Sequence, residues 1–184
     1  FFLLLNIFER KIIIKDHMRV ADFVIKFLED KGIKNVFTVS GGGSIFLCDA
    51  LYKSKKLNYV SCHHEQAVSF ATESYSRVKN KPGAAIITTG PGGTNCTTGV
   101  ACCWIDSVPS IFISGQVYLN QTIKNTGLRQ LGVQEFDIVS MVKTSTKYSV
   151  IIQTPESIKY HLEKAYYLSM EGRPGPVWVD IPAN

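Results

Sequence analysis

Six short runs of apolar and small residues alternate along this chain with segments of helical periodicity, and that alternation constrains the fold more than any single motif. The runs are NVFTV (35–39), LNYVS (57–61), AAIITT (84–89), SIFIS (110–114), YSVII (148–152) and PVWVDI (176–181). Such near-continuous strands predict burial on both faces, the condition of a parallel sheet held between helices. Between them, Val20, Phe23, Val24, Phe27 and Leu28 form one helical stripe that Gly32 ends. A short helix is expected around Ile45–Leu51, and another from about Glu65 to Val78 with Ala67, Val68, Ala71 and Tyr75 inward. Further helices are expected over Thr94–Trp104, in EFDIVSMVK (135–143), and in a segment with Ile158, Leu162, Ala165 and Tyr166 inward. The expected fold class is α/β: a single domain with a six-stranded, mainly parallel sheet flanked by helices on both faces and joined by right-handed crossovers.

The chain's 184 residues suit one such domain and are too few for two. Its 20 basic and 15 acidic residues leave a net charge of +5, but the cations are scattered, and the one tight group, Lys53, Lys55 and Lys56, reads as a solvated face. No nucleic-acid partner is expected. The opening FFLLLNIF lacks a preceding basic region and is too short to cross a bilayer, so neither a signal nor a membrane span is expected. Residues 1–17 are expected to be an N-terminal extension outside the core, with residues 18–184 as the domain. Five cysteines without a CxxC pair predict reduced thiols and a cytoplasmic setting.

In parallel α/β sheets, ligands bind beyond the carboxyl ends of the strands. Four segments follow strands here: SGGGS (40–44), CHHEQ (62–66), TGPGGTN (89–95) and SGQV (114–117). The turn at Gly90, Gly92 and Asn95 falls short of the dinucleotide fingerprint, and no GxxxxGK[ST] sequence occurs. One glycine is explained by a tight turn; three together favour close approach of a flat ligand to the backbone. HExxH is incomplete because Val68 replaces the second histidine, and a GxSxG elbow is absent. Glu65 stands where a strand gives way to a helix. Taken alone it is either a solvated first-turn carboxylate favoured by the helix dipole or a buried group used for proton chemistry.

Residues 63–117, "HHEQAVSFATESYSRVKNKPGAAIITTGPGGTNCTTGVACCWIDSVPSIFISGQV", resemble the pyrimidine-binding domain of thiamine-diphosphate enzymes of the acetolactate synthase and pyruvate oxidase group. The likeness extends over residues 18–184 and closes on "GRPGPVWVDIP". It implies that Glu65 hydrogen-bonds a ring nitrogen of the aminopyrimidine of thiamine diphosphate and so promotes loss of the thiazolium proton, ahead of attack on a small 2-keto acid. It further implies that Gly41, Pro91 and Asn95 line the pyrimidine pocket and that Gln116 faces the reacting side. The family binds the cofactor's diphosphate through Mg²⁺ on a second domain carrying a GDG…N motif that this sequence lacks. The implied partners are therefore a diphosphate-binding domain or subunit and a homo-oligomer, dimer or tetramer, with this chain inactive alone. A requirement for FAD is left open.

The chain departs from the acetolactate synthase pattern in having PGGTN rather than PGATN, a longer "YLNQTIKNTGLRQLG" (118–132), and Val133 rather than Phe before Gln134 and Glu135. The long segment lies where substrate specificity would be set. Competing expectations are a non-catalytic interaction module and a nucleotide-binding module that keep the fold without the chemistry.

Overall fold

A computed structural model describes residues 18–124 and 126–184. The expectation for residues 1–17 lies outside the described residues. The element order is α1 (Val20–Asp30), β1 (Asn35–Thr38), α2 (Ile45–Lys53), β2 (Asn58–Ser61), α3 (Glu65–Lys79), β3 (Gly83–Ile87), α4 (Pro91–Asn95), α5 (Thr97–Ile105), β4 (Ser110–Gln116), α6 (Ile138–Val142), β5 (Tyr148–Ile151), α7 (Ile158–Met170) and β6 (Pro176–Pro182), with short 3-10 turns between some of them. All six strands lie in one sheet, ordered β2-β1-β3-β4-β6-β5. Every pairing is parallel, with Val36 beside Ala84, Ala85 beside Phe112 and Phe112 beside Trp178.

The strand alternation divides the core in two. Val36, Ala84, Ile86, Ile111, Ile113, Val177 and Val179 face α1, α2 and α7. Ala85, Ile87, Phe112 and Trp178 face α3, α5 and α6. Helices therefore cover both faces, and each fully buried aliphatic side chain stabilises the fold by about 1.5–3 kcal/mol. At its end α1 is closed by Gly32 at φ 75, a left-handed turn that lets the Ile33 amide reach the Leu28 carbonyl at 3.1 Å.

Four expectations are corrected. LNYVS is buried only at Leu57: β2 is an edge strand, with β1 its one neighbour in the sheet, and is exposed from Asn58 to Ser61. On α3, Ala67 is exposed and the buried face is Val68, Ser69, Thr72, Glu73 and Ser76. Hydroxyls can be buried there because they bond to their own helix: Thr72 Oγ1 donates to the Val68 carbonyl at 2.8 Å, and Ser76 Oγ to that of Thr72 at 2.8 Å. Finally, Thr94–Trp104 is not one helix. It breaks at Cys96 into α4 and α5, and the helix expected in EFDIVSMVK shortens to Ile138–Val142, capped by Asp137, which accepts from the Ser140 amide at 3.0 Å.

Candidate functional site

Strand order reverses between β1 and β3: the chain leaves β1 for α2 on one face of the sheet and leaves β3 for α4 and α5 on the other. The crevice outside their carboxyl ends is the topological switch point, the preferred ligand position in such sheets. Thr88, immediately after β3, occupies it. Its Oγ1 accepts from the Gly43 amide at 3.1 Å. A β-carbon on Gly41 would lie 2.6 Å from the Thr88 side chain, and one on Gly92 would lie 2.7 Å from its methyl group. The two glycine turns are thus drawn together around one threonine.

The glycines have a role within the chain as well. Gly41 and Gly92 are required by contacts within the chain, as is Gly90, which combines φ 60 with a carbonyl of Gln134 where its β-carbon would stand.

Glu65 is the first residue of α3, and the helix dipole favours its carboxylate there. The preceding His64 caps the helix, its Nδ1 accepting from the Gln66 amide at 3.1 Å. Asn95, at the end of α4, donates from Nδ2 to Glu65 Oε2 at 3.0 Å. The other carboxylate oxygen, Oε1, lies over Gly92, 3.5 Å from where a β-carbon would be. The break between α4 and α5 also serves this corner, because it places the Cys96 thiol to donate to the Glu65 carbonyl at 3.2 Å. Burial, and then the Glu65 charge, push that thiol far above its usual range, so it is held as a neutral donor. Glu65, Asn95, Pro91 and Gly41 therefore meet at one edge of the sheet. Glu65 is only partly buried, and Pro91 and Asn95 are exposed.

Residues 18–141 match the family model for the thiamine pyrophosphate enzyme N-terminal TPP-binding domain. The chain belongs to this family. It is 39% identical over 167 residues to the chloroplastic acetolactate synthase of Arabidopsis thaliana, covering 89% of this chain and 24% of that protein. It is 36% identical over 164 residues to the acetolactate synthase large subunit of Haemophilus influenzae, and 35% identical over the same length to the isozyme 3 large subunit of Escherichia coli, covering 89% of this chain and 28% of each relative. The chain thus spans about a quarter of the length of these relatives.

In this TPP-binding domain, Gln116 stands apart from the other expected site residues. It is 2% exposed, at the end of β4. Its Oε1 accepts from Thr89 Oγ1 and, at 2.9 Å, from the Val117 amide. Its Nε2 donates to the Phe136 carbonyl at 3.0 Å and to Asp180 Oδ2 at 3.0 Å. Asp180 also accepts from Ser114 Oγ at 2.5 Å, and Ser114 accepts from Trp178 Nε1 at 2.8 Å. Complete burial pushes the Asp180 carboxyl up to about 7, against the lowering effect of its hydrogen bonds with Ser114 and Gln116. The sequence reading singled out neither Thr88 nor Asp180. Paired threonines before the GPGG turn and an acid inside an otherwise apolar strand were the available signals.

The free Glu65 oxygen is an acceptor and suits an N–H donor, such as that of a protonated or amino-substituted heteroaromatic ring. It stands beside Gly92 while Asn95 steadies the other oxygen, and a β-carbon on nearby Gly42 would meet nothing within 4 Å.

Proposed function

We propose that this chain is the pyrimidine-binding half of a thiamine-diphosphate-dependent enzyme that acts on a 2-keto acid, by acetolactate synthase-like carboligation or by decarboxylation. The observation that carries this reading is the Glu65 carboxylate at the start of α3, fixed at one oxygen by Asn95 and open at the other over Gly92. Acetolactate synthase relatives across 89% of the chain support the reaction class.

When bound, thiamine diphosphate supplies an acidic thiazolium carbon as the reaction's nucleophile. Glu65 Oε1 would accept from, or share a proton with, a ring nitrogen of the aminopyrimidine. Asn95 keeps the carboxylate from rotating away, and His64 and Cys96 fix the backbone that carries it. The turns at Gly41 and Pro91 flank the ring. Because this chain leaves Glu65 partly exposed, the desolvation that a proton-sharing carboxyl needs would come from a covering diphosphate-binding domain or subunit. That partner would also hold Mg²⁺.

The test is exchange of the thiazolium proton with deuterated water, without substrate, in the full-length enzyme. Glu65→Gln keeps the size and the Asn95 contact but cannot share the proton. Its exchange rate should fall by about two to four orders of magnitude with modest weakening of cofactor binding. Exchange at the wild-type rate would return Glu65 to a solvated helix-start role.

A further inference from the structure

We propose that Gln116 is a positioning residue that ties the turn after β3, the segment before α6 and strand β6 together beneath the crevice. A primary amide has two N–H donors and two acceptor lone pairs. In Gln116 all four are used: Thr89 and Val117 donate to Oε1, while Nε2 donates to Phe136 and Asp180. The orientation of the amide is fixed by partners of unambiguous character, since the Val117 amide can only donate and the Phe136 carbonyl can only accept. Nothing remains to offer a ligand, and the side chain is buried.

The partners belong to three different parts of the chain. Thr89 precedes Gly90, the first residue of the turn that leads into α4 and so to Asn95. Phe136 ends the segment running from 118, whose Gln134 carbonyl rests against Gly90. Asp180 belongs to β6. One amide therefore sets the turn, the long segment and the sheet in register, and through Asn95 it acts on Glu65. The clamp rests on geometry alone; its effect on the cofactor rests on the function proposed above.

The experiment combines segment-resolved hydrogen exchange of the full-length enzyme with thiamine diphosphate affinity. Gln116→Met keeps the volume and removes all four bonds. Backbone amides in 88–96 and 132–137 should exchange about tenfold faster, a loss in keeping with one to two net hydrogen bonds, while 110–113 and 176–179 stay protected. Cofactor affinity should fall several-fold. Gln116→Glu/Asp180→Asn exchanges amide and acid across the pair, keeping acceptors for Thr89 and Val117 and a donor on residue 180, but offering nothing to the Phe136 carbonyl. In it, 88–96 should recover protection while 132–137 remains fast. If Gln116→Met does not fold, this double variant decides by the same pattern.

Loss of affinity with both segments still protected would make Gln116 a direct cofactor contact and overturn the proposal. So would unchanged protection and affinity together, or loosening spread evenly over the sheet. Failure of the function reading is separate: it appears in Glu65→Gln, which should leave both segments at wild-type exchange.

Discussion

On the face of the sheet covered by α1, α2 and α7, the buried side chains include Val24, Leu28, Leu47, Leu51, Ile158 and Leu162, with Ser169 on the same stripe of α7. On the face covered by α3, α5 and α6, apolar residues are fewer and are interleaved with Ser69, Thr72, Ser76, Ser110 and Ser114. The first face fills volume, which aliphatic residues do with tolerance for small shifts. The second fixes distances. Ser76 Oγ accepts from the Gly83 amide at 2.8 Å, tying α3 to the start of β3, and a β-carbon on Gly83 would lie 2.7 Å from the Thr72 carbonyl. Gly99 brings α5 so close to Ser69 that a β-carbon would lie 2.5 Å from that of the serine. The helix that carries Glu65 at its tip is on this second face, where directional bonds and backbone contacts hold it more narrowly than leucines could.

The comparison is most strongly tested by Leu28→Ala, on the aliphatic face. It should destabilise the fold by about 2–5 kcal/mol in urea titration yet leave thiamine diphosphate affinity of the folded full-length enzyme unchanged. A matching loss of affinity would show that both faces shape the crevice. Gly99→Ala should cost less stability, about 1–3 kcal/mol, because α5 must move off α3. Its slowing of thiazolium proton exchange should nevertheless exceed that of Leu28→Ala, and Ser69→Gly should partly reverse it.

A pH effect centred on Asp180 belongs to the second face. Native Asp180 keeps its proton to about pH 7, whereas an unfolded aspartate releases it near pH 4. The folded state therefore binds the extra proton across that interval, so the contribution of Asp180 is most favourable below about pH 4 and is lost as pH rises toward 7. Asp180→Asn should flatten the stability profile from about pH 4 to 7 and make the variant comparatively more stable at pH 8 than at pH 4. An unchanged slope would place that proton elsewhere. The smallest effect is expected at the surface of α1, where the exposed Lys26–Asp30 pair at 3.1 Å should contribute less than about 0.5 kcal/mol, read as an unchanged urea midpoint in Lys26→Ala.

All six strands were legible because Ile, Val and Ala runs bounded by Gly and Pro leave little choice of period. The same logic failed at β2, since LNYVS has strand composition but no local sign that it would stand at the edge. On α3 it assigned Ala67 inward, because hydropathy ranks alanine above serine. The buried serines are satisfied by carbonyls one turn back, a tertiary fact that residue scales do not hold. Glu65 and Asn95 could be singled out by motif, but their mutual hydrogen bond spans thirty positions. Gln116 could be marked as important, but the sequence does not say that Thr89, Phe136 and Asp180 surround its amide.

Gly43 and Gly115 meet with the carbonyl of Gly43 where a β-carbon on Gly115 would have to stand. Every single-base change in a glycine codon that alters the encoded residue introduces at least one carbon. Gly115 therefore cannot drift one step at a time, and random mutagenesis of the full-length protein should recover almost no functional clones altered there, however permissive the selection.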